Sequence, residues 1–99
     1  MNGIDMILHP PARLQIAALL SKVSDMEFAK LRELVKVSDS VLSKHLSALS
    51  DAGYVRLNKA AVGGRQRTWA SLSRDGTRAL DRHVAALRAI VAHMPAAAE

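Results

Sequence analysis

The 99-residue chain has no cysteine, which excludes disulfides, thiolate metal centres and cysteine nucleophiles and makes a reducing compartment its natural setting. It also lacks any run of the ~20 apolar residues needed to cross a bilayer. Asp5, His9, Pro10 and Pro11 interrupt the only apolar stretch near the start, so nothing there reads as a signal peptide. A cytoplasmic protein with no membrane partner is the expectation. No glycine-rich phosphate loop joins a strand to a helix and no base is set beside a nucleophile, so an enzyme is not expected. Acid is scarce too: 9 Asp and Glu face 14 Lys and Arg, a net charge of +5, which suits a polyanionic partner. The length holds one domain with a modest core, which a second copy would extend.

What is present is a sequence of short periodic segments. The stretch from Pro10 to Val23 opens with prolines suited to a first helical turn and then spaces Leu14, Ala17 and Leu20, with Ile16, Leu19 and Val23, as one helix. "DMEF" has room for one extended bridge. Ala29 to Val35 carries Leu31, Leu34 and Val35 as a second helix, and Lys36–Ser38 form a tight connection. Ser38 is placed to cap a third helix, Asp39 puts a negative charge at its positive end, and Gly53 stops it after Ala52. The period then changes to two: Val55 and Leu57 alternate with Arg56 and Asn58, and Thr68, Ala70 and Leu72 alternate with Arg67, Trp69 and Ser71. Gly63 and Gly64 between them supply a hairpin turn. Ser73 caps a last helix running to about Met94. Three helices, a two-stranded β-wing and a long C-terminal helix define a mainly α (α+β) winged helix-turn-helix. Residues 10–72 form its core, 73–94 a dimerisation helix and 95–99 a tail.

The third helix spends its two faces differently. Leu42, Leu46 and Leu49 make an apolar stripe, while the outward face carries Ser40, Ser43, Lys44, Ser47 and Ser50 in place of the Glu, Lys and Gln of an ordinary solvated helix. Serine costs helix propensity but is short and can donate or accept, which suits a helix whose backbone must approach base edges in a major groove. The predicted DNA contacts on this helix are Ser38, Asp39, Ser40, Ser43, Lys44, His45 and Ser47. His45, at the edge of the apolar stripe, could equally pack under the second helix. On the wing, Arg65, Gln66 and Arg67 follow two glycines and would enter a minor groove or bind phosphates. From Arg56 to Arg78, Arg56, Lys59, Arg65, Arg67, Arg74 and Arg78 stand against Asp75 alone, an excess equal to the whole net charge.

Leu80, Val84, Leu87, Val91 and Met94 are spaced four, three, four and three along the last helix, the seam of a coiled coil. Such a helix outreaches a domain of this size, so a second copy is its simplest cover, and Ile7 and Leu8 would join the interface. A two-fold pair sets two recognition helices about 34 Å apart on a near-palindromic operator. Asp81, His83 and His93 are zinc-type ligands, but Asp81 and His83 lie two apart and point different ways, and no acid near His93 completes a set; no metal and no cofactor is expected.

The stretches "HPPARLQIAALL", "FAKLRELVKVSDSVLSKHLSALSDAGYV", "RTWASLSRDGTRAL" and "RHVAALRAIV" resemble small single-domain winged helix transcriptional regulators related to the MarR and ArsR families, over nearly the whole chain. The resemblance implies a homodimer through the first and last helices, a recognition helix from Asp39 to Ala52, a wing around Gly63 to Arg67, and a His83 that is structural or interfacial. It also implies a repressor or activator, sometimes with a small-molecule effector. Relatives often have a polar residue where this chain has Val41. A winged helix that binds another protein and no operator is the alternative function, and a metal-responsive regulator, with a site completed across the dimer, is a further one.

Overall fold

The computed structural model describes residues 3–95. Its order is α1 (Pro11–Leu20), β1 (Met26–Glu27), α2 (Phe28–Val35), α3 (Asp39–Asp51), β2 (Val55–Val62), β3 (Arg65–Leu72) and α4 (Arg74–Ala92). The three helices, the hairpin and the long last helix are those expected. The "DMEF" bridge exists as well: β1 pairs antiparallel with β3, Met26 opposite Ala70 and Glu27 opposite Trp69, so the sheet has three strands in the order β1-β3-β2. The tail expected at 95–99 lies, apart from Pro95, outside the described residues.

Local chemistry sets the boundaries. Ser38 Oγ accepts the Val41 N–H at 3.2 Å and starts α3. At its end the Tyr54 N–H reaches the Leu49 carbonyl and the Gly53 N–H the Ser50 carbonyl, both at 2.9 Å, with Gly53 at φ 80°. This is the paired Schellman closure, and it needs a residue free to adopt positive φ. Gly63 and Gly64, at φ 58° and 78°, form the two-residue turn between Val62 and Arg65, whose twist matches that of the strands.

One apolar core joins the elements. It is built from Leu8, Ile16, Ala17 and Leu20, Leu31 and Val35, Leu42, Leu46 and Leu49, Val55, Ala70, Ala79 and Leu80. The root of α4 is fixed on the end of α3. Ser73 donates its N–H to the Tyr54 carbonyl at 2.9 Å and its hydroxyl to the Gly53 carbonyl at 2.6 Å, while Ser73 Oγ accepts the Gly76 N–H at 2.9 Å. Both ends of the molecule, which measures 62 × 27 × 21 Å, leave this core. Beyond Val55 every β2 residue is exposed, and beyond His83 no α4 residue is fully buried. No helix among the described residues is long and apolar enough to cross a membrane.

Two residues expected at the interface between copies, Leu8 and Leu80, lie instead in the core of the single chain. Leu8 is fully buried and Leu80 is 7% exposed within the single chain, because the first half of α4 spends its apolar stripe on the domain's own core. Little of either side chain is left to touch a second copy. The seam is open only farther along: Ile7, Val84 and Leu87 are half-buried, and Val91 and Met94 are exposed.

Candidate nucleic-acid interface

The stripe Leu42, Leu46 and Leu49 is sunk in the core and fixes the rotation of α3. Ser40, Ser43, Lys44 and Ser47 are consequently exposed, and Lys44 makes no ion pair among the described residues. The strand register sorts the wing in the same way. Val55, Leu57, Lys59 and Ala61 pair with Leu72, Ala70, Thr68 and Gln66, and share the sheet face turned toward α3. A groove between helix and wing results, lined by Ser43 and Ser47 on one wall, Lys59 and Thr68 on the other, and Phe28, Leu46 and Leu57 below.

Lys59 and Thr68 were absent from the predicted contacts. The signal was available in the alternation, because Lys59 follows Leu57 by two and must share its face. The groove thus places an ammonium group, Lys59, opposite two serine hydroxyls, a lining that can hold a phosphate or a base edge without burying unpaired charge.

Four predicted contacts occupy other arrangements. His45 is half-buried on the α1 side of α3, where its Nδ1 accepts the Arg13 Nε–H at 3.1 Å. Burial first, and the Arg13 charge second, hold its pKa below the ordinary imidazole value. With Nδ1 accepting, the ring carries its proton on Nε2 and is neutral. The Asp39 carboxylate lies 2.7 Å from Arg32 Nη1 in an exposed ion pair, so it already has a cationic partner at the helix start. Arg67 lies on the sheet face turned away from α3, with Nη1 2.6 Å from Glu27 Oε2 across β1 and β3; its charge is already balanced. Ser38 is spent on its cap, with its hydroxyl 3.3 Å from Ser40 Oγ. At the tip, Arg65 and Gln66 stay exposed, Gln66 on the α3 side and Arg65 on the other.

Behind α3 a second polar arrangement ties three elements together. Asp5 Oδ1 accepts the Ile7 N–H at 2.8 Å and the Leu8 N–H at 3.3 Å, and Asp5 Oδ2 accepts the Tyr54 hydroxyl at 2.5 Å. That hydrogen bond is the main reason the Tyr54 pKa is raised. The Asp5 N–H in turn donates to Nδ1 of His83, a fully buried ring on α4 at 3.0 Å. Accepting at Nδ1 puts the His83 proton on Nε2, so the ring is neutral. No group of three or more metal-ligating side chains forms among the described residues. The Nδ1 of His93, the other histidine weighed as a ligand, lies 2.7 Å from the Ala89 carbonyl.

A capped helix with a serine and lysine face, set beside a basic hairpin on a three-helix core, defines a winged helix DNA-binding domain. A family model described as "Winged helix DNA-binding domain" matches residues 12–91, and the chain belongs to that family, which is one of DNA-binding domains and not of enzymes. The chain is 30% identical over 78 residues to an uncharacterized protein of Methanocaldococcus jannaschii, across 79% of this chain and 85% of that one. Its fold is similar to that of a transcriptional regulator homologue of Pyrococcus horikoshii OT3, with a TM-score of 0.80, 24% identity and coverage of 87% of this chain and 85% of that one. It is also similar to a MarR family transcriptional regulator of Silicibacter pomeroyi, with a TM-score of 0.68, 21% identity and coverage of 91% of this chain but 60% of that one. The likeness to winged helix regulators of the MarR type is therefore one of fold along the whole domain.

Proposed function

We propose that the protein is a homodimeric transcriptional regulator that lays α3 in the major groove of a near-palindromic duplex and sets the wing against the adjacent minor groove or backbone. The observation that carries this reading is the groove between α3 and the wing, where Ser43 and Ser47 face Lys59 and Thr68 while Ser40 and Lys44 lie exposed on the helix. Short hydroxyls let the helix backbone come close, lysines neutralise phosphate, and Arg65 and Gln66 extend the contact from the tip. Pairing through the free half of α4, at Leu87, Val91 and Met94 with Ile7 and Val84 at the margin, sets two such surfaces about 34 Å apart.

Fluorescence anisotropy on duplexes selected from a random pool, at stepped salt, tests this. The expected result is tight binding to one family of two-fold sites, lost steeply as salt rises. Lys44→Ala lowers discrimination between sites by about 1–3 kcal/mol, and Arg65→Ala weakens all duplexes evenly and flattens the salt slope by about one. Leu87→Asp yields monomers in sedimentation. Absence of DNA binding at low salt, with the protein retained on another polypeptide, would establish the protein-binding alternative instead.

A further inference from the structure

The exposed surface of α3 holds one large apolar side chain, Val41, which is 40% exposed. Neither burial nor helix formation explains it. Its neighbours in the apolar stripe, Leu42, Leu46 and Leu49, are buried to 2% exposure or less. A β-branched residue loses rotamer freedom in a helix, so an exposed position would favour Ala, Lys or Glu. Val41 also stands apart from the apolar face of α4, since it lies on the recognition helix beside Ser40 and Lys44.

Its setting is that of a rigid probe. Val41 donates its N–H to Ser38 Oγ at 3.2 Å, so it sits in the capped first turn of α3, the part of a recognition helix that comes nearest the bases. In a helix valine keeps one dominant rotamer, so its two methyl groups are held in place with little entropy left to lose. Serine and lysine read donors and acceptors, and neither uses the one apolar feature of the major groove, the C5-methyl of thymine. We propose that Val41 packs against a thymine methyl and fixes a thymine in each half of the bound site; this rests on the DNA-binding reading above. Three residues along a helix advance about 4.5 Å, against about 3.4 Å per base step, so the thymine lies within about two base pairs of the Lys44 contact.

The test replaces each thymine of a selected duplex in turn by deoxyuridine, which removes only the methyl group, and measures binding of the parent, Val41→Ala and Val41→Ser proteins. One thymine per half-site should stand out, its replacement weakening the parent about fourfold, the worth of one methyl removed from water. Val41→Ala and Val41→Ser should bind the thymine and deoxyuridine duplexes alike. Val41 is exposed, and equal thermal melting of the three proteins will show that the fold is kept. Specific binding by the parent that ignores every methyl, or a methyl effect that survives in both variants, overturns the Val41 inference alone. A parent that selects no duplex at all removes the DNA-binding reading, and this inference with it.

Discussion

Helices α3 and α4 start with the same device and end in different surroundings. Each is capped by a serine hydroxyl, Ser38 or Ser73, and carries an aspartate in its first turn, Asp39 or Asp75. Each turns an apolar stripe toward the core. In α3 that stripe is buried along the whole helix, and everything facing outward is short and polar apart from Lys44 and Val41. In α4 burial stops at His83, and Val91 and Met94 lie open at 72% and 63% exposure. Capping and periodicity therefore explain why both segments are helical, and only the outward residues tell them apart. One helix is fixed along its length and presents hydroxyls; the other is rooted at one end and leaves an apolar surface open at the other.

The root is the place to break this comparison most severely. Gly76 lies under the backbone of Tyr54, and a Cβ there would overlap the Tyr54 carbonyl oxygen and press on the Leu72 side chain. Because the obstacle is backbone, it cannot swing aside. Gly76→Ala should cost more than about 3 kcal/mol in urea unfolding, and a cost under about 1 kcal/mol would mean that the junction between α3 and α4 is loose. The next contrast lies between the stripes. Leu42→Ala should destabilise each protomer by about 3 kcal/mol through a cavity. Val91→Asp, by contrast, should leave the fold intact and appear in sedimentation as dissociation. If Val91→Asp unfolds the chain as Leu42→Ala does, the two helices are not used differently.

Much of this was legible because it is local. Ser38, Gly53, the Gly63–Gly64 pair and Ser73 each act within a few residues, so helix ends and hairpin follow directly from the chain. The partners of His45, Arg67 and Leu80 were not legible. Arg13 to His45 spans 32 positions, Glu27 to Arg67 spans 40 and Asp5 to Tyr54 spans 49, and no periodicity encodes a meeting across such distances. A stripe shows that a residue will be covered but not by what, which is why Leu8 and Leu80 were assigned to a second copy while they fill their own core. Lys59 is the opposite case, readable from strand alternation.

Acidification sharpens the contrast by a smaller amount. His83 is buried on the rooted half of α4, and burial, then the charge of His9, lowers its pKa below the ordinary 6.5, while Asp5 acts in the other direction. The folded state then binds fewer protons than the unfolded state, so the contribution is complete above about pH 6.5 and is lost as pH falls through that value toward the lower folded pKa. Its slope is at most about 1.4 kcal/mol per pH unit for one ring. Urea midpoints should fall between pH 7.5 and 5.5, and less so in His83→Gln, whose amide oxygen can still accept the Asp5 N–H. An equal fall in both proteins would place the sensitivity elsewhere, with His45 the next ring to replace.

The smallest effect concerns the turn that delivers α3. Lys36 ends α2 in the left-handed region at φ 62°, ψ 49°, and its N–H bonds the Arg32 carbonyl at 2.8 Å. A side chain there costs roughly 1 kcal/mol, which glycine avoids, although glycine regains part of it as freedom in the unfolded chain. Lys36→Gly should therefore raise stability by about 0.5 kcal/mol while removing one exposed positive charge next to the start of α3. If duplex affinity falls as stability rises, the turn holds a strained lysine for its charge, as the serines of α3 are held at a cost in helix propensity. If affinity is unchanged, the cationic surface begins at α3 itself, and the contrast between the helices narrows to Lys44 and the residues facing the wing.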